Sequence, residues 1–278
     1  PLRGSVRRRL GISSARYSGT TGQTSRSPSC RDGTGLSIRI NDRGLRVRTM
    51  KTVEQIAHQL QSRLRRNEWA RSGKLPGQRQ LADELGVSRA SLREAVAMLE
   101  SLGLLRSEPG RGVFIVRLGE KRSRGARGHW RVNSRYALRD VYLVRNALEE
   151  LAAAMAAGVV TAAGVARLRA TIRRMETAAD AGDLVAMAEA DNAFHSGIVE
   201  IAGSPILHDL ADSISDVVDK SRQIAFSDPA RVREPISEHA RIVDAMATGS
   251  PAAVRKAMRA HIRNAAGRVG IVLDVPGV

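Results

Sequence analysis

The apolar positions of this chain follow two periods, and the change between them marks its organisation. From Thr52 onward, Val53, Ile56, Ala57, Leu60 and Leu64 fall on one helical stripe, and Thr52 with Gln55 has the spacing of a capping box. Glycines at 73 and 77 break the pattern. A short helix over 78–85 is predicted next, ended by Gly86. Ser88 is placed to cap a second helix with the stripe Leu92, Ala95, Val96 and Leu99, stopped at Gly103. Two helices joined by so tight a turn read as a helix-turn-helix. Residues 104–106 and 113–116 then read as short strands around Glu108-Pro109-Gly110-Arg111-Gly112, whose turn chemistry makes them a hairpin, the wing.

Residues 118–135 are charged and contain glycine, and are expected to be a linker. Beyond them helical stripes recur over 136–157, 162–179, 183–202, 205–224, 235–247 and 251–269, with Gly or Pro at most breaks and no convincing strand. The expected fold is mainly α. A winged helix-turn-helix of three helices and a small β-hairpin occupies 50–117, an all-α antiparallel helical bundle occupies 136–270, and 271–278 form a tail.

Charge sharpens this picture. Among 278 residues, Lys and Arg number 45 and Asp and Glu 28, a net charge of +17 that favours a polyanionic partner. The stretch before Met50 holds eleven arginines against Asp32 and Asp42 and shows no helical period. It is expected to be a disordered basic extension over 1–49, with the natural start at Met50; the alternative is a basic arm lying on DNA. Cys30 is the single cysteine, which fits a reducing cytosol, and no apolar run approaches the roughly 20 residues that span a bilayer. A cytoplasmic, nucleoid-associated protein without membrane contact is expected.

Two sets of residues carry candidate chemistry. On the second helix of the turn, Arg89 and Arg93 share a face and suit bidentate contact with guanine, while Ser88 and Ser91 can reach phosphate. Arg79 on the preceding helix and Arg111 at the wing tip extend the same basic surface. In the bundle, Asp191 and His195 sit in a stripe with Leu184, Met187, Phe194 and Ile198, where apolar residues belong. His239 interrupts a stripe with Ile236, Val243 and Met246, and His261 one with Val254, Met258 and Ala265. Four ionisable groups facing one core offset their desolvation if they converge on a cation, and the Asp-x-x-x-His step puts a carboxylate and an imidazole one turn apart. His58, His129 and His208 lack both stripe and partner and are expected at the surface.

Leu75-Pro76-Gly77-Gln78-Arg79-Gln80-Leu81-Ala82, Gly86-Val87-Ser88-Arg89, Leu92-Arg93-Glu94-Ala95, Gly103-Leu104 and Gly110-Arg111-Gly112-Val113-Phe114 resemble the winged helix of the GntR regulators. The resemblance implies that Arg79, Arg89 and Arg93 are the main DNA contacts and that Arg111 with Gly112 enters the minor groove. Gly77-Gln78 departs from the family's usual Ser-Glu, which weakens an N-cap by a few tenths of a kcal/mol. The bundle resembles the FCD ligand-binding domain of the FadR-like branch. That likeness implies a divalent metal (Zn, Ni or Mn) on Asp191, His195, His239 and His261, with Arg145 of Arg145-Asn146-Ala147-Leu148-Glu149 facing an effector pocket. The function expected is a homodimeric repressor on a double-stranded DNA operator, modulated by a small carboxylate. The alternative is a metal-dependent enzyme built on the bundle.

Overall fold

The computed structural model covers residues 36–41, 44–49, 51–116 and 136–273. The expected linker, most of the N-terminal extension and the end of the tail lie outside the described residues. Within the extension, Leu36–Asn41 (β1) and Gly44–Thr49 (β2) pair antiparallel, with Ile38 opposite Val47 and Ile40 opposite Leu45. The expectation of disorder across all of 1–49 is corrected for these residues. Apolar and polar residues alternate along both segments, the period of a strand, within an extension whose overall composition is rich in arginine.

The winged helix begins with α1 (Val53–Arg65). Thr52 accepts from the Gln55 amide at 3.3 Å and Gln55 Oε1 accepts from the Thr52 amide at 3.1 Å, the reciprocal box read from sequence. Next come α2 (Gln78–Leu85) and α3 (Arg89–Ser101), with Ser88 Oγ accepting from the Ser91 amide at 3.0 Å. Between them Gly86 adopts φ 67°, ψ 37°, the left-handed geometry that ends α2 and redirects the chain. Gly86→Ala is expected to cost about 1–2 kcal/mol, read as a lower urea midpoint. Ile56, Leu60, Leu81, Leu92 and Leu99 fill the core beneath the three helices. The wing is β3 (Leu105–Glu108) with β4 (Gly112–Ile115), Leu105 opposite Ile115. Residues 73–75, read from sequence only as a break, lie along the other edge of β4: Leu75 N donates to Val113 O and Ile115 N to Gly73 O, at 2.8 and 2.9 Å.

The bundle holds α4 (Leu138–Ala157), α5 (Ala162–Asp180), α6 (Leu184–Ala202), α7 (Pro205–Ser213), α8 (Ser215–Ala225), α9 (Glu234–Ala247) and α10 (Pro251–Arg268). α4 packs on α6, α8 and α10, and α5 on α6 and α9. The single helix predicted over 205–224 is corrected to two. Ile214 breaks it at φ −115°, ψ 6°, where Ser213 Oγ donates to Leu210 O at 2.7 Å and Ser215 Oγ to Asp212 O at 2.8 Å. Serine hydroxyls that take up backbone carbonyls weaken a helix at that point, and no Gly or Pro marks the place.

α1 docks on the start of α6. Gln61, buried, donates Nε2 to Asp183 Oδ1 at 2.7 Å and accepts from the Val185 amide at 3.2 Å, while Asp183 caps α6 through the Ala186 amide at 3.0 Å. His58 stands 3.5 Å from Asp183 Oδ1 and 3.3 Å from Glu189 Oε1, so the expectation that it lacks a partner is corrected. Its partners lie in a distant part of the chain, which local patterning does not reveal. His208 is exposed as expected, and His129 lies outside the described residues.

Candidate metal centre and nucleic-acid interface

Helix α3 buries Leu92, Ala95, Val96 and Leu99 and turns Arg89 and Arg93 outward. Both arginines, and Arg79 on α2, are exposed and make no hydrogen bond or ion pair among the described residues, so three cationic forks are available to an external anion. Ser88 and Ser91 are held together, Oγ to Oγ at 2.8 Å, at the N-terminus of α3, where the helix dipole also favours phosphate. The wing tip differs from a free basic point. Arg111 pairs with Glu108 and its guanidinium lies 5.5 Å from the Phe114 ring centre; Arg106 pairs with the same carboxylate and lies 5.8 Å from that ring. Gly112 has φ 114° and a side chain there would meet nothing within 4 Å, so the tip is slender on its outer side.

The bundle brings Asp191, His195, His239 and His261 together, all buried. α6 supplies the first two, one turn apart, and α9 and α10 one histidine each. Asp191 Oδ1 is 3.5 Å from His239 Nε2 and 3.9 Å from His195 Nε2, and one candidate ligand nitrogen from each imidazole falls within 4.8 Å of the others. Donors in a tetrahedral zinc shell stand about 3.3 Å apart, so the three histidines form the candidate ligand group, with Asp191 beside His195 and His239.

Each histidine turns its Nδ1 edge to a different neighbour. His261 Nδ1 meets Glu238 Oε2 at 2.7 Å, His239 Nδ1 meets Met175 Sδ at 3.2 Å, and His195 Nδ1 lies 2.6 Å from Glu149 Oε2. The last contact sets a buried carboxylate directly against the imidazole edge. This outer ring fixes the imidazole orientations, as carboxylates do behind metal-ligating histidines. Arg268 and Asn264 in turn hold Glu238. Phe194 stacks on His239 with ring centres 4.0 Å apart.

Burial pushes His195 down to about 4 and His239 well below the usual imidazole value, so both rings are neutral and carry a lone pair. His195 Nε2 and His239 Nε2 are buried without a hydrogen-bond partner. Neutral imidazoles with unpartnered nitrogens beside a buried carboxylate fit a divalent cation.

Beside this cluster lies a cavity of about 150 Å³ between α4, α6, α7 and α8. His195, Glu149, Arg145 and Arg222 line its inner end. Arg145 donates Nε to Glu149 Oε1 at 2.8 Å and Nη1 to Ser221 Oγ at 3.1 Å, with its guanidinium 5.0 Å from the Tyr142 ring centre. Burial alone would raise the Glu149 carboxyl, but Arg145, His195 and Arg222 together hold it well below the ordinary range.

Residues 52–115 match the bacterial regulatory proteins of the gntR family, and residues 140–264 match the FCD domain. The chain belongs to the GntR family. It is 27% identical to the Glc operon transcriptional activator of Escherichia coli over 196 residues, 68% of this chain and 77% of that protein. To the HTH-type transcriptional regulator LutR of Bacillus subtilis it is 28% identical, over 69% of this chain and 89% of that one. An Escherichia coli protein named as an L-lactate dehydrogenase operon regulator is 32% identical over 68% of this chain and 75% of its own length. A solved Streptococcus agalactiae GntR protein is 25% identical, covering 76% of this chain and 98% of that one, at a TM-score of 0.38.

As a GntR regulator the chain is a DNA-binding transcription factor, and its family and relatives are regulators rather than enzymes. No helix among the described residues is long and apolar enough to cross a membrane. The sequence reading assigned no role to four residues around the bundle site: Glu149, Glu238, Met175 and Arg222. Glu149 and Glu238 had a signal, since each is a carboxylate at a position that helical spacing turns inward. Arg222 donates to Asp219 at 3.1 Å and Glu149 at 3.3 Å, and its buried Nε has no hydrogen-bond partner. Met175 is a sulfur in an ordinary apolar stripe and had none.

Proposed function

We propose that the chain acts as a homodimeric repressor whose operator affinity is set by a divalent metal and a small carboxylate in the bundle. Asp191, His195, His239 and His261 would hold the cation, and a bound cation would supply Lewis-acid attraction for a carboxylate oxygen. Arg145 and Arg222 stand at the same end of the cavity to pair with the remaining oxygens, each now engaged with Glu149. The observation that carries the reading is the pair of buried, unpartnered Nε2 atoms facing Asp191. Four protein ligands leave room for an effector oxygen in five- or six-coordination, which nickel and manganese accept as well as zinc. The cavity has space for about five waters, the size of a short organic acid. One relative is named for an L-lactate dehydrogenase operon, which supports beginning with short hydroxy acids.

The test is operator binding by the metal-loaded protein, followed by fluorescence anisotropy across short mono-, di- and tricarboxylates. At least one acid is expected to shift the operator Kd in the loaded protein and not in the chelated one; no shift across the panel with metal bound contradicts the reading. The regulatory sign is tested by a reporter, whose output rises on removing the chain if it represses. A fall would place it with the activator among its relatives.

The route from site to DNA head runs through α6, which carries Asp191 and His195 and whose cap is gripped by Gln61 of α1. Gln61→Ala is expected to keep operator binding and metal content while reducing the metal-dependent change in operator Kd. An unaltered change in the purified variant removes this contact from the route.

A further inference from the structure

The cavity beside the histidine cluster carries opposite charges at its two ends. The buried guanidiniums of Arg145 and Arg222 stand at the inner end, where the Arg222 Nε has no hydrogen-bond partner. The carboxylate among them, Glu149, is shared between the two, 2.8 Å from Arg145 Nε and 3.3 Å from Arg222 Nη2. Toward solvent the lining turns acidic. Glu200 of α6, Asp212 of α7 and Asp219 of α8 converge on one opening from three helices. Glu200 and Asp212 are exposed and make no side-chain hydrogen bond or ion pair among the described residues. Asp219 is half-buried and pairs with Arg222 at 3.1 Å. Among the described residues no lysine or arginine joins the three carboxylates at this rim, although the chain carries a net charge of +17.

We infer that the cavity takes a zwitterion, a short α-amino acid, with its carboxylate toward Arg145 and Arg222 and its ammonium toward Asp219, Asp212 and Glu200. The inference rests on the carboxylate reading above and names the class of acid. A cleft lined by one sign of charge attracts ions of the other sign and repels its own. Three carboxylates at the opening therefore oppose an acid that carries no cation. A zwitterion has no net charge to repel and is attracted at both ends. The Asp219–Arg222 pair gives the spacing. In an α-amino acid the ammonium and the carboxylate are attached to the same carbon, so one molecule can lie across this pair with each charge facing its opposite. A hydroxyl in the ammonium's place can still donate to Asp219, but it brings no charge, and charge-assisted hydrogen bonds are roughly twice as strong as neutral ones. Burial pushes the Asp219 carboxyl up although Arg222 stands beside it, so this carboxylate gains from a second cation. The volume of about 150 Å³ limits the side chain to a short one.

The test is isothermal titration of the metal-loaded 278-residue chain with acids matched in pairs: alanine with lactate, serine with glycerate, aspartate with malate. At least one amino member is expected to bind about ten-fold or more tighter than its hydroxy counterpart. Asp219→Asn is expected to remove most of that preference, and Asp209→Asn, an exposed change on α7 outside the cavity lining, to keep it. Hydroxy acids that bind as tightly as their amino counterparts overturn the zwitterion while the carboxylate reading stands. So does a preference that survives in Asp219→Asn. If no acid of either class binds and none shifts the operator Kd, both readings fall. Should Asp219→Asn lose its helical signal, Glu200→Gln combined with Asp212→Asn decides, since both positions are exposed: a narrowed preference supports the inference and an unchanged one overturns it.

Discussion

His239→Ala is expected to weaken metal binding by more than about 100-fold while leaving operator binding by the winged helix in place. The outer partners of metal-ligating histidines are worth about 10–100-fold in affinity, and His239 stands inside that ring. It is fully buried, its Nε2 faces Asp191 at 3.5 Å, and its ring centre lies 5.1 and 4.6 Å from those of His195 and His261. Removing the imidazole deletes one donor and exposes Asp191 and the other two rings to an incomplete sphere. His195→Ala and His261→Ala should therefore do the same, and any double variant should lose little more than a single one, because the residues act as a unit. Isothermal titration with zinc, nickel and manganese checks this. His208→Ala, an exposed residue of the cavity lining that is no member of the histidine group, should titrate like the wild type.

The second large effect belongs to α3. Arg89→Ala and Arg93→Ala are each expected to cost about 1–3 kcal/mol on a specific operator, and the double variant about their sum if each reads its own base. Neither guanidinium holds another part of the described fold, so the thermal midpoint should move within the range of an ordinary surface change. Arg111 makes a useful contrast. It is tied to Glu108, so removing it also releases Arg106 to take that carboxylate alone, and a smaller loss is expected. Anisotropy at fixed salt, on the operator and on scrambled DNA, separates base reading from phosphate attraction: an equal loss on both duplexes assigns the arginines to the backbone alone.

Much of this was legible in the chain because the decisive signals are local. Caps at Thr52 and Ser88, the turn at Gly86 and the apolar periods of α1 and α3 leave few alternatives to a helix-turn-helix. The histidine cluster was legible for a different reason. A histidine in an apolar stripe is a conflict within a few residues of sequence, and three such conflicts with Asp191 call for a shared resolution. What stayed hidden depends on distant partners. Arg222 looks like any helical arginine until α8 is laid against α4 and α6, and Gln61 and His58 acquire roles only when α1 meets α6. The division between α7 and α8 depends on two serine hydroxyls choosing carbonyls, and a continuous apolar stripe does not record that choice. In residues 36–49 the strand period was present but carried by few residues amid many arginines.

Elemental analysis of the purified 278-residue chain, after exposure to zinc, nickel or manganese and removal of excess, tests the central claim most directly when run beside His195→Ala, His239→Ala and His261→Ala. A divalent ion retained stoichiometrically by the wild type and lost from all three variants is the predicted result. A wild type that retains none of the three metals, or variants that retain as much as the wild type, would contradict the account and make these histidines core residues of a metal-free bundle.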